Sequence, residues 1–82
     1  MSKYDPLQRF LRQSATDELI LSFDQVEQIL DDKLPASAFQ HRAWWSNSET
    51  HVEATAWLKA GWKVEDLDQQ RKWVKFRRTR LS

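Results

Sequence analysis

Ten aromatic residues in a chain of 82, five of them tryptophan, constrain this fold more than any other feature. Each large ring can remove roughly 150–250 Å² of surface from water. Trp44, Trp45, Trp57, Trp62, Trp73, Phe10, Phe23, Phe39 and Phe76 therefore supply the apolar area for one compact core. A chain this short has too little interior for a second core, so a single domain over residues 1–82 is expected. There is no cysteine to staple it, which excludes a disulfide framework and a Cys-based zinc site. Two histidines, His41 and His51, cannot complete a structural metal site alone, and no cofactor is expected.

The single glycine and two prolines argue against disorder and against a glycine-rich phosphate loop. The opening Met1-Ser2-Lys3-Tyr4-Asp5-Pro6 lacks the basic-then-apolar order of a signal peptide, and short apolar runs such as Leu19-Ile20-Leu21 cannot span a membrane. The composition points to a cytoplasmic domain with no membrane partner.

Periodicity and capping signals place the elements. Asp5-Pro6 opens a helix over 6–13, with Leu7, Phe10 and Leu11 on one face. Leu19-Ile20-Leu21 is too short for a helix and reads as a buried strand. Three Ser/Thr-x-x-Gln/Glu patterns then read as capping boxes: Ser22 with Gln25 for a helix over 23–31, Ser37 with Gln40 for 38–45, and Thr50 with Glu53 for 50–60. Val26, Ile29 and Leu30 should face inward from the first of these, and Phe39, Ala43 and one tryptophan from the second. From the third, Val52, Ala56, Trp57 and Ala60 should do so, and Gly61 suits the left-handed residue after its end. Alternation over Trp62–Glu65 and Trp73–Arg77, joined by the polar segment 66–71, predicts a C-terminal hairpin. The fold class expected is α+β: three or four helices, a short strand and a C-terminal β-hairpin, in a winged-helix-like order.

The net charge of +1 conceals a strong asymmetry. Residues 1–68 carry seven Lys/Arg against twelve Asp/Glu, a balance of −5. Residues 69–82 carry Arg71, Lys72, Lys75, Arg77, Arg78 and Arg80 with no acid, a balance of +6. Clustered cations of this kind suit a polyanion, because they release counterions from a phosphate backbone. They also serve to neutralise an acidic body or to keep a protein soluble.

Leu34-Pro35-Ala36-Ser37-Ala38, Arg42-Ala43-Trp44-Trp45-Ser46-Asn47, His51, Ala54, Ala56-Trp57 and Ala60-Gly61-Trp62-Lys63-Val64 form a specific pattern. It resembles a family of small, functionally uncharacterised bacterial and phage domains, and the Tyr4-Asp5-Pro6-Leu7 opening and Val74-Lys75-Phe76-Arg77 ending extend the likeness along nearly the whole chain. The resemblance implies a stand-alone domain and carries no active site with it.

Catalytic chemistry finds little support in the residues. No HExxH spacing, Gly-x-Ser-x-Gly elbow or cysteine nucleophile exists, and Ser22, Ser37 and Ser48 are accounted for as caps or turn residues, so no enzymatic activity is expected. If Val74 and Phe76 face the core, alternation sends Trp73, Lys75 and Arg77 to the opposite face, an indole between cations. Such a surface suits nucleic acid, the cations meeting phosphate and the ring a sugar or base. Lys72, Arg78 and Arg80 extend it, while Gln40 and Arg42 are the right types for base edges. Trp44 and Trp45 are adjacent, so one should enter the core and the other form a lid or an exposed platform. The leading expectation is a non-enzymatic protein that binds nucleic acid, duplex DNA first, through its basic hairpin. The alternative is a protein-interaction module, such as a phage-type inhibitor or adaptor, that uses its acidic body and exposed aromatics.

Overall fold

The computed structural model describes residues 2–79. Helix α1 (Asp5–Gln13) buries Leu7 and Leu11 on one stripe. Its cap is Tyr4, not Asp5: the Tyr4 side chain is drawn into the core, and its carbonyl accepts from Leu7 N at 3.1 Å and Gln8 N at 3.3 Å. Asp5 becomes the first helical residue, its carboxylate accepting from the backbone N–H of Ser2.

Strand β1 (Glu18–Ser22) runs directly into helix α2 (Phe23–Leu30). The expected capping box joins them, with Gln25 N donating to Ser22 Oγ at 3.0 Å and Ser22 N donating to Gln25 Oε1 at 2.8 Å.

The single helix expected over 38–45 is two pieces. Helix α3 (Ala36–Gln40) is capped by Pro35 without a side-chain bond, so Ser37 is not a cap. His41 is extended, and a 3-10 turn follows over Arg42–Trp45. This break lets the Trp45 indole turn back and donate to Ala38 O at 2.8 Å, within the core. It also leaves Ala43 exposed, contrary to the continuous helical phase, while Phe39 is half-buried. Trp45 is the core member of the pair, and Trp44 lies edge-on across it and against Tyr4 as a half-buried lid.

Helix α4 (Val52–Lys59) begins later than expected. Its cap is His51, whose carbonyl accepts from Thr55 N, while the Thr50 hydroxyl is engaged with Ser48 Oγ at 2.7 Å. The buried residues are Glu53, Ala54, Ala56 and Trp57, and Val52 is 57% exposed. Putting the Trp57 indole in the core fixes the helix rotation, and Ala54, three residues before it, takes the inward position in place of Val52. Gly61 ends the helix at φ 83°, as its left-handed freedom allows.

Strands β2 (Trp62–Asp68) and β3 (Trp73–Arg78) complete an antiparallel sheet of order β1-β3-β2. Leu19 pairs with Phe76 and Leu21 with Val74. On the other side Val64 pairs with Phe76 and Leu67 with Val74, with a bulge between Val64 and Asp66. The helices pack on the face carrying Leu21, Val74, Phe76, Trp62 and Leu67. A column of rings crosses that core: Phe23 stacks on Trp45 at 5.1 Å, Trp45 on Trp57 at 6.0 Å, and Trp57 meets Phe76 edge-on. The architecture is α+β with a C-terminal hairpin, and among the described residues no helix is long and apolar enough to cross a membrane.

Candidate nucleic-acid interface

Alternation on β3 holds as expected. Val74 and Phe76 are fully buried, so Trp73, Lys75 and Arg77 lie on the outer sheet face. Two carboxylates from the flanking strands reach Lys75 and Arg77 on that face. Lys75 Nζ lies 2.8 Å from Glu18 of β1 and 3.1 Å from Glu65 of β2. Arg77 pairs with the same two carboxylates, at 3.1 Å to Glu18 and in closer contact with Glu65. The four side chains alternate in sign across three strands. The Lys75 hydrogen bond, followed by the Arg77 charge, holds the Glu18 carboxyl below the usual glutamate range. The Arg77 and then the Lys75 hydrogen bond do the same for Glu65.

Arg78 is also engaged. Its guanidinium lies over the Trp62 ring at 4.7 Å and donates to the carbonyls of Ser14 and Thr16 and to Asp17 Oδ1. It ties the connection between α1 and β1 to the end of β3. Arg80 lies outside the described residues.

The remaining candidates gather at the other end of β3. The hairpin turn, residues 69–72, docks on α3: Gln69 Nε2 donates to Ala38 O at 2.9 Å, and Lys72 Nζ sits over the Phe39 ring at 5.9 Å. Lys72 takes φ 63° to close the turn. Arg42 reaches the same region by donating from Nη1 to Leu67 O at 3.3 Å. Gln40, at the end of α3, is exposed nearby in the chain, and Trp73 is half-buried where β3 leaves the turn. The structure thus brings Arg42 and Lys72 to one end and binds Lys75, Arg77 and Arg78 into ion pairs elsewhere.

Two features escaped the sequence reading. Arg71 belongs to the same turn, its backbone N–H held by Asp68 Oδ1 and its side chain exposed; its place in the acid-free end was a signal for it. Asn47, named above only within the family pattern and given no role there, is a clasp. Its Nδ2 donates to Val64 O at 2.9 Å, and its Oδ1 accepts from Val64 N at 2.8 Å and from Trp57 Nε1 at 3.0 Å. The pattern around Asn47 therefore closes the edge of β2 and satisfies a buried indole.

His51 offers no catalytic relay. Both Ser46 Oγ at 3.4 Å and Glu53 Oε2 at 3.6 Å approach the same ring nitrogen, Nδ1, whereas a Ser-His-acid relay needs them on opposite nitrogens. Among the described residues no group of three or more His, Asp or Glu converges as metal ligands would.

No curated protein and no solved structure matches the chain. A family model does, over residues 4–79, and it is described as a domain of unknown function, DUF7662. That span takes in every helix from α1 to α4 and the whole sheet, so the protein belongs to the DUF7662 family.

Proposed function

We propose that this is a non-enzymatic, winged-helix-like module that binds nucleic acid, duplex DNA first, through the hairpin turn and the α3 to 3-10 segment. The observation that carries this reading is a juxtaposition of two acid-free stretches. Residues 33–48 and 69–79 contain no Asp or Glu, and the turn docks one against the other. Arg42, Arg71 and Lys72 can meet phosphates there without a carboxylate from either stretch, and exposed Gln40 adds a side chain able to read a base edge. The helix order and the β1-β3-β2 sheet support the winged-helix reading, with the hairpin as the wing. Helix α4 stands where such folds place a reading helix, but exposed Glu49 precedes it and repels phosphate. The wing end is therefore the better contact.

Fluorescence anisotropy with duplex DNA, single-stranded DNA and RNA tests the proposal. Three phosphate contacts give a slope of log K against log salt of about −2 to −3. The triple variant Arg42→Gln, Arg71→Gln, Lys72→Gln should flatten that slope, whereas Lys75→Gln should barely change it. Absence of binding to every nucleic acid at about 50 mM salt would overturn the proposal.

A protein partner is the second reading, favoured by one observation. Ile20 is 62% exposed on the outer sheet face, where the neighbouring Lys75 and Arg77 are already neutralised. Such a surface fits an apolar protein contact better than a polyanion. Binding that survives the triple Gln variant but is lost on replacing Trp73 would favour it.

A further inference from the structure

Among the described residues Glu53 is the one charged side chain that folding buries, at 7% exposed. Its place in the first turn of α4 suits a negative charge, because that end of a helix is positive. No described residue donates a hydrogen bond to its carboxylate. His51 Nδ1 lies 3.6 Å from Oε2, too far for one, and the same nitrogen faces Ser46 Oγ at 3.4 Å. A carboxylate withdrawn from water and left without donors is unfavourable unless a cation joins it. The group is not sealed in. Among the described residues the only fully enclosed side-chain atom without a partner is Trp62 Nε1, so the bare Glu53 oxygens open to solvent.

Aromatic rings stand beside that opening. Burial raises the Tyr4 phenol above its ordinary value, and the nearby Glu53 charge, then that of Asp32, raises it further. Trp44 meets Tyr4 edge-on at 6.0 Å and is only half-buried, so part of its indole faces outward. Lys3 Nζ already rests over the Tyr4 ring at 5.4 Å. The aromatic side of the notch thus draws a cation, while the carboxylate keeps both oxygens free.

We infer that Glu53, Tyr4 and Trp44 form a binding notch for a guanidinium group, held by its two N–H donors on the Glu53 carboxylate and by its flat face against the rings. The inference rests on neither functional reading above, since it uses neither the turn cations nor the outer sheet face. A metal ion is a poor fit, because no three His, Asp or Glu among the described residues converge on one point. A guanidinium fits better than an ammonium on three counts. It meets both oxygens of one carboxylate in parallel, it lies flat on an indole, and it gives up water more readily. The group arrives either on an arginine side chain of a protein or on a small guanidinium compound, and the chemistry of the notch is the same for both.

Nitrogen-15 NMR titrations test this with methylguanidinium, with its neutral isostere N-methylurea, and with a capped tripeptide carrying arginine at its centre. Methylguanidinium at up to about 100 mM should shift the Trp44 indole N–H and the Glu53 amide, and N-methylurea should not. Glu53→Gln keeps the volume, removes the charge and should weaken binding at least about tenfold. If that variant fails to fold, Trp44→Leu at the half-buried lid should weaken binding at least about threefold. A tripeptide that binds about tenfold more tightly than methylguanidinium assigns the carrier to a protein, and equal affinities assign it to a small compound. No shift with methylguanidinium, an equal response to N-methylurea, or unchanged affinity in the variant that folds would overturn the inference.

Discussion

Asn47→Ala removes three hydrogen bonds at once, and their surroundings set the cost. The Trp57 indole N–H belongs to a side chain with 0% exposure, so losing its acceptor orphans a buried donor, which costs about 1–3 kcal/mol. The two bonds to Val64 lie at an exposed strand edge where water replaces them, and their net loss is smaller, about 0.5–1 kcal/mol together. The expected total is about 2–3 kcal/mol. For a chain of this size the urea m-value is about 1 kcal/mol per molar, so the midpoint should fall by roughly 2 M with m unchanged. Asn47→Asp keeps the acceptor for both donors and loses only the bond to Val64 O, so it should cost less than half as much. A double-mutant cycle with Trp57→Phe separates the terms, because without the indole N–H there is no donor to orphan. The Asn47→Ala cost should shrink by at least 1 kcal/mol in that background. A cost under 0.5 kcal/mol for Asn47→Ala, or the same cost in both backgrounds, would refute the clasp.

The Glu18 and Glu65 carboxyls titrate below their ordinary value because Lys75 and Arg77 hold them charged. Their contribution to stability is therefore complete above the ordinary glutamate pKa of about 4.3 and is lost as pH falls through the depressed folded values. Urea midpoints measured across that range should drop on acidification, and the drop should be smaller in the Glu18→Gln, Glu65→Gln variant. Trp73 is half-buried on the outer face whereas Trp57 is fully buried, so thermal melts should show Trp73→Ala costing well under the roughly 3–5 kcal/mol of Trp57→Ala. The reverse order would refute the assignment of faces on β3.

Elements whose signals are local were legible in the residues alone. Leu7 and Leu11 set the phase of α1, the Val74 and Phe76 alternation set the inner face of β3, and Gly61 marked the end of α4. These follow from helical and strand periods and from the backbone freedom of one residue type, none of which needs a distant partner. Capping boxes were less secure, and the three candidates show why. Ser22 is held extended at φ −71° and ψ 159° because it ends a paired strand, so its box forms. Pro35 takes the cap position that Ser37 would have filled, and Ser48 engages the Thr50 hydroxyl. The same spacing has a different outcome in each because neighbouring backbone decides it.

The surroundings of the basic end, by contrast, arise from long-range pairing that folding alone creates. Lys75 and Arg77 meet Glu18, more than fifty residues away in sequence, because β1 pairs beside β3, and no local pattern encodes that pairing. The same pairing brings Asp17 and the Ser14 and Thr16 carbonyls to Arg78. Docking the turn on α3 carries Arg71 and Lys72 to Arg42 and away from that network. Counting charges along the chain showed how many cations lie at the C-terminal end. Which of them remain available depends on the carboxylates that folding places within about 4 Å, since at that range the Coulomb attraction of an opposite charge is strongest.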